Sequence, residues 1–340
     1  MLYSLDEICL IPTPVSDIEH RKDVVVFDNH NNFPLFTAPM SFIDEKNYKT
    51  FKQNNINTII PRTVNWNVRL SLLHSGEWVA VGLEEAKYLL ENLVIKNTKI
   101  KLCIDQANGH MKSLLDVCAN LKDKFKNNIR IMTGNIANPA AYREYARAGV
   151  DFVRVSIGSG NVCTTSVQTG IHYPIGSLII NCKKEKDNVE KEIGFTAKYR
   201  SLPKIVADGG FKSIDQIIKA LALGADYVML GEVFAKSSEA AGEIVMITKR
   251  EYFGMSTEKA QILVNEASLF KVDDFVPKHT EGQVKAVTIS YSIAKWLEDF
   301  EHALRSAMSY TGAKTLKQFT GNVLWDIMSH STYNSYTYMK

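Results

Sequence analysis

The stretch that decides the fold is Lys204–Val233, KIVADGGFKSIDQIIKALALGADYVMLGEV. It opens on a β-branched run, Lys204–Gly210 (KIVADGG), and passes into a helix-like segment, Ser213–Leu223 (SIDQIIKALAL). It closes on a second apolar run, Tyr227–Val233 (YVMLGEV). Gly224 stands where a helix C-terminus favours glycine. Both runs are continuously apolar rather than alternating, which is the pattern of parallel strands covered on both faces.

The same unit recurs upstream. Further runs are Pro34–Met40 (PLFTAPM), Ile56–Arg62 (INTIIPR), Trp78–Leu83 (WVAVGL), Ile100–Gln106 (IKLCIDQ), Ile129–Asn135 (IRIMTGN) and Phe152–Gly158 (FVRVSIG). Helix-like stretches separate most of them, for example Pro139–Ala148 followed by Gly149. Eight regular strand–helix units predict a closed (β/α)8 TIM barrel, in the α/β class, rather than an open doubly wound sheet. The segment before the first run is expected to form an N-terminal extension, a small hairpin or lid over the barrel bottom. After the eighth run the pattern breaks. Residues 244–287 form a long excursion, expected to be a flap insertion at the catalytic end, before a final helix near Ser290–Met308. The polar, aromatic tail Ser331–Lys340 is expected to fray or pack on a neighbouring subunit. The whole chain, residues 1–340, then makes a single barrel domain.

Composition narrows the function classes. The net charge of +3 is too small for a nucleic-acid partner, and lysines are interspersed with acids. The run Lys183–Asp187 mixes signs and is expected to be a solvated helix face. No apolar stretch reaches the roughly 20 residues of a membrane span. The N-terminus lacks the pattern of a signal peptide. Five widely spaced cysteines without a CxxC pair argue against a disulfide framework or zinc site, so a cytoplasmic setting is expected.

Barrel active sites form at the strand C-termini. That rule gathers Ala38-Pro39-Met40, Arg62, Asp105 to Asn108, Asn135, Asp208-Gly209-Gly210 and Gly231. The glycines after the seventh and eighth strands can let backbone N–H groups approach a phosphate; tight turns alone are the blander reading. Asp and Asn at such ends also cap helices. Cys163 is different. It lies in IGSGNVCTTSVQTG (Ile157–Gly170), among glycines and hydroxyls that can stabilise a thiolate. The glycine-rich backbone there can also turn carbonyls of Gly158, Gly160 and Cys163 toward a monovalent cation such as K+. Cys9, Cys103, Cys118 and Cys182 sit among aliphatic neighbours and are expected to be small buried hydrophobes.

The Cys163 loop resembles the GxGxGxxCTT…TG loop of the IMP dehydrogenase and GMP reductase family. So do ADGG (Ala207–Gly210), IIKALALGADYVMLGEVFA, SEAAGE (Ser238–Glu243), YFGMS (Tyr252–Ser256) and RSAMSYTGA (Arg305–Ala313). LDEICLIPTP and PLFTAPM look like its opening segments. The resemblance spans nearly the whole chain, with its motifs in order. It implies a barrel enzyme, a homotetramer, acting on a purine nucleoside monophosphate with a nicotinamide cofactor. Cys163 would attack C2 of the purine. Asp208 would bind the ribose hydroxyls, and Gly209, Gly210, Gly231 and Asn161 would lie at the phosphate. Met255 and Ser256 would contact the purine edge, and Arg62, Asp105 and Asn135 would lie around cofactor or substrate.

The reductase branch is favoured. Only residues 63–77 separate Arg62 from the next strand, so the cystathionine-β-synthase-type (CBS) regulatory repeats of many dehydrogenases have no place there. The dehydrogenase flap carries an Arg-Tyr pair that activates water, whereas residues 256–280 contain neither residue type. GMSTEKAQ and DQANGH look closer to the reductase. Glu281-Gly282 takes the position of its catalytic Glu-Gly, so Glu281 with Thr165 is assigned to protonate departing ammonia. The expectation is reductive deamination of GMP to IMP with NADPH. The rivals are an IMP dehydrogenase without CBS repeats, a reductase of a related purine nucleotide, and a nucleotide-binding protein without catalysis. Two departures from the family pattern are Asn161, where serine is usual, and Glu232, where serine or glycine is usual. A carboxylate beside a phosphate is repulsive unless it turns away.

Overall fold

The computed structural model describes residues 1–95, 98–193 and 201–337. Strand β1 (Ile8–Leu10) pairs antiparallel with Trp325–Ile327 from the far end of the chain. The N-terminal extension is therefore half of a two-stranded sheet and not a hairpin of its own. The barrel follows: β2 (Leu35–Thr37), β3 (Ile59–Ile60), β4 (Trp78–Val81), β5 (Ile100–Asp105), β6 (Ile129–Ile136), β7 (Phe152–Val155), β8 (Lys204–Asp208) and β9 (Tyr227–Leu230). They form one parallel sheet in the order β2-β9-β8-β7-β6-β5-β4-β3. The ring closes where Phe36 bridges Asn57, just ahead of β3. The expected (β/α)8 architecture is present.

Helices α1 (Tyr48–Gln53), α2 (Trp66–His74), α3 (Leu83–Asn92), α4 (Lys112–Phe125) and α5 (Ala140–Arg147) alternate with the strands. After β7 come α6 (Thr165–Thr169) and α7 (Ile175–Ile193), and then α8 (Ile214–Leu223) and α9 (Glu232–Ala235). Several strands are shorter than their apolar runs suggest. The run Ile56–Arg62, for instance, contributes only Ile59 and Ile60. Ile56 to Thr58 precede the strand, and Pro61 and Arg62 leave the ladder at its C-terminal end, where the site lies.

The barrel floor is aromatic. Phe36, Trp78, Phe152 and Tyr227 meet edge-to-face with centroids 5.1–5.8 Å apart. Apart from Phe36 and Tyr227, on neighbouring β2 and β9, the contacting pairs come from non-adjacent strands and so meet through the interior. Each ring buries a large apolar area, and edge-to-face pairs add about 0.5–1.5 kcal/mol beyond it. Helix α8 is buried on nearly every side. The N-terminal segment covers part of it, with Gln216 donating to Asp6 at 2.7 Å.

Beyond β9 the chain builds β10 (Ile244–Met246), β11 (Lys249–Phe253), α10 (Glu258–Ala267) and β12 (Val284–Thr288), then helix α11 (Ile293–Tyr310). The three strands form their own antiparallel sheet. Buried Arg69 of α2 holds Glu85 of α3 through two hydrogen bonds of 2.9 and 2.7 Å, and donates to the Ala267 carbonyl at 3.4 Å. This pair ties the end of α10 to the barrel wall.

Three expectations are corrected. Residues 330–337 are helical rather than frayed, and the Lys219 ammonium lies 5.7 Å from the centroid of the Tyr333 ring; residues 338–340 of that tail lie outside the described residues. The 183–187 run is not simply solvated, because Glu185 pairs with Arg143 and Lys186 with Asp226, all largely shielded. Cys9 is partly exposed on β1, whereas Cys103, Cys118 and Cys182 are buried. Cys9 sits on the two-stranded sheet with its thiol 3.5 Å from the Asp326 carbonyl oxygen.

Candidate active site

At the C-terminal mouth of the barrel lies a cavity of about 620 Å³. Every residue given a role from the sequence lines it; of the other strand-end candidates, Asn108 does not. Strand ends supply Arg62, Asp105, Asn135, Asp208-Gly209-Gly210 and Gly231; the loop after β7 supplies Gly158, Gly160, Asn161, Cys163 and Thr165; the segments after β11 and α10 supply Met255, Ser256 and Glu281.

Two loops are locked together by glycines. Gly158 adopts φ +77° and Gly210 φ +83°, a backbone region that favours glycine. A Cβ at 210 would stand 2.4 Å from the Ser159 carbonyl oxygen. The turn after β8 thus presses backbone to backbone on the Cys163 loop. The flap approaches the same loop from the other side. The Thr164 amide donates to the Glu281 carbonyl at 2.9 Å, and the Gln283 amide donates to the Val162 carbonyl at 2.9 Å. These pairings form a short antiparallel bridge, Cys163 opposite Gly282.

That bridge brings three functional groups into line across 116 residues of sequence. The Cys163 thiol lies 3.3 Å from the Thr165 hydroxyl, which donates to the Glu281 carboxylate at 2.5 Å. A proton can leave sulfur, pass the hydroxyl and rest on the carboxylate, all within hydrogen-bond reach. The Gly158 carbonyl accepts from Ser166 and the Gly160 carbonyl from the Cys163 amide. Each keeps a second lone pair.

The floor of the cavity contains a residue that sequence reasoning missed. Arg154 of β7, almost fully buried, donates to Asp105 at 2.5 Å and twice to Asp208, at 3.0 and 2.8 Å. Asn135 adds a donor to the same Asp208 oxygen at 2.6 Å. Burial works against the guanidinium charge, but Asp208 and Asp105 outweigh it and hold the group well above its ordinary pKa. The signal was an arginine inside the otherwise apolar run FVRVSIG, since a buried charge requires partners. Arg62 reaches the Asp105 carbonyl at 3.3 Å, and its buried Nε has no partner. Tyr252, also missed, lies with its hydroxyl 3.2 Å from the Met40 sulfur. Asn161 offers its carbonyl to Lys285 of β12 at 2.5 Å. Glu232, the first residue of α9, pairs at 2.7 Å with Lys236, which caps the end of that helix.

The cysteines differ chemically. Burial pushes Cys103, Cys118 and Cys182 up to about 12, so they are inert thiols at neutral pH. Iodoacetamide is expected to label Cys163 and the partly exposed Cys9 in the folded protein, and the other three only after unfolding. Peptide mass spectrometry checks this; labelling of the buried three in native protein contradicts it.

A parallel barrel thus carries a loop thiol, a hydroxyl and a flap carboxylate in one line at its mouth. The chain belongs to the IMP dehydrogenase / GMP reductase family, whose domain model matches residues 74–335. It is 31% identical to an inosine-5'-monophosphate dehydrogenase of Chlorobaculum parvum over 253 residues, 72% of this chain and 48% of the relative. It is 33% identical to that of Chlorobaculum tepidum over 231 residues, 65% of this chain and 44% of the relative. A GMP reductase of Vibrio atlanticus is 31% identical over 250 residues, 72% of this chain and 66% of the relative. The chain thus spans about half the length of the dehydrogenases it matches. Among the described residues no helix is long and apolar enough to cross a membrane.

Proposed function

We propose that the chain is a GMP-reductase-like oxidoreductase that reductively deaminates a guanine ring carried on a ribose, GMP being the nucleotide form. The observation that carries this reading is the Cys163–Thr165–Glu281 line of hydrogen bonds. The sulfur forms a bond to C2 as its proton moves through Thr165 to Glu281. Glu281 then returns the proton to the 2-amino group, so the C2–N bond breaks with ammonia as the leaving group and a thioimidate remains. Asp208, oriented by Arg154 and Asn135, keeps lone pairs for the ribose diol. Met255 and Ser256 border the purine edge.

A reduced nicotinamide, NADPH in this reading, supplies the hydride that replaces sulfur at C2. Arg62, Asp105 and Asn135 are the residues that would hold it, and the unpartnered buried Nε of Arg62 fits an incoming acceptor. The carbonyls of Gly158, Gly160 and Cys163 are the groups offered to K+. A cytoplasmic homotetramer is part of the same proposal.

The test is a substrate panel. The full chain with GMP or guanosine and NADPH is expected to lose nicotinamide absorbance and release ammonia in equal amount. NADH formation from IMP and NAD, without ammonia release, overturns the reductase reading in favour of a dehydrogenase, the activity named for two of the relatives above.

A further inference from the structure

Under the reading above, a 5′-phosphate would occupy the end of the cavity walled by Gly209, Gly210, Phe211, Gly231, Glu232 and Tyr252. Gly231 and Tyr252 are tightly apposed there, with the tyrosine hydroxyl 2.4 Å from where a Cβ at 231 would stand. Of these six residues, Glu232 alone carries a full charge, and it is negative. Its counter-ion lies on the wrong side. Lys236 pairs with Glu232 at 2.7 Å but lines a separate cavity of about 340 Å³, behind Phe211 and Glu232, with Lys212, Ser213 and Ser290. Glu232 therefore stands on the wall shared by both cavities, whereas Lys236 lines the side cavity alone.

The rest of the catalytic cavity does not reverse this balance. Its carboxylates are Asp105, Asp208, Glu232 and Glu281, against the fixed cations Arg62, Arg154 and Lys278. Arg154 is already committed to two of those acids. Burial pushes the Tyr252 hydroxyl above its ordinary pKa, with Glu232 and Asp208 adding to it, so the phenol stays protonated.

Hydrogen-bond chemistry points the same way. A phosphate near neutral pH offers essentially only acceptor oxygens, and an ionised carboxylate likewise only accepts. Facing each other, they share no proton and repel. A free 5′-hydroxyl instead donates to the carboxylate. We infer that Glu232 sets the substrate class of this site as a purine nucleoside with a free 5′-hydroxyl, and that it selects against the 5′-monophosphate by charge. This inference rests on the purine reading of the cavity and names which form of the purine enters it.

Binding is measured by calorimetry on the full chain carrying Cys163→Ser, which separates binding from turnover. The probes are guanosine and GMP. Guanosine is expected to bind about tenfold or more tightly than GMP at low salt, and the gap should narrow as ionic strength rises. Adding Glu232→Gln should tighten GMP by about tenfold and weaken guanosine by a few fold, because the charge leaves and one acceptor weakens. Lys236→Met, which removes the counter-charge and keeps Glu232, should move the ratio further toward guanosine. GMP binding as tightly as guanosine in the Glu232 protein, or an unchanged ratio after Glu232→Gln, overturns the inference. If GMP is preferred and is reductively deaminated, the inference falls and the reductase reading stands. If neither purine binds, both fall.

Discussion

Cys163→Ser is expected to lower turnover by at least about 10³-fold, while purine binding stays within about threefold. The loop backbone explains why binding survives. Cys163 sits in a bridge to Gly282, and its amide is held by the Gly160 carbonyl. A serine keeps both interactions and its Oγ can still reach Thr165. What it lacks is a nucleophile that surrenders its proton near neutral pH. A hydroxyl gives up its proton far less readily than a thiol, so the relay to Glu281 has little to carry. Initial rates with guanine substrates and NADPH measure the loss, and calorimetry measures binding. Trapped wild-type reactions should show a purine adduct on the Cys163 peptide by mass spectrometry, absent from the serine variant. Turnover comparable with wild type in Cys163→Ser refutes the covalent step.

The second large effect concerns stability as much as activity. Arg154→Met is expected to cost about 3–5 kcal/mol, because it leaves buried acids without their cation. Asp105 and Asp208 approach Arg154 from β5 and β8, the strands on either side of its β6–β7 region, and both are largely shielded from water. Methionine fills most of the volume, so the loss is chiefly electrostatic rather than a cavity. That attribution has its own signature. Abandoned carboxylates would bind protons more tightly when folded than when unfolded, a stabilising term present in acid and lost as pH rises. The deficit against wild type should therefore shrink toward acid pH and grow toward neutral. Urea unfolding at several pH values measures it; a deficit independent of pH would mark a packing defect instead. Arg154→Lys should recover part of the stability, since it restores the charge without the fork that reaches two acids.

How much of this was legible before the coordinates depends on the range of the interactions concerned. The barrel was legible because a strand buried on both faces must be continuously apolar, and Lys204–Val233 shows that pattern twice around one helix. The strand-end candidates were legible because barrel topology places every strand C-terminus at one mouth, whereas the roles of Thr165, Met255, Ser256 and Glu281 came from the family resemblance. Arg154 was less so. Its partners lie 49 and 54 residues away, and a single arginine in an apolar run does not say which acids it meets. The helical tail and the pairing of β1 with residues 325–327 were misjudged for a similar reason. Short segments have no local pattern strong enough to show a partner at the other end of the chain.

The order of strands and helices, the closed ring and the position of a thiol among glycines follow from the amino-acid sequence by itself, because they depend on local periodicity and chain connectivity. Tertiary structure alone decided that Thr165 stands between Cys163 and Glu281, and that Glu232 lines both the catalytic cavity and its neighbour while Lys236 lines only the neighbour. Those facts depend on distances between elements far apart along the chain and on which side of a helix turn each charge falls. Only the packing of flap, loop and barrel mouth against one another sets them.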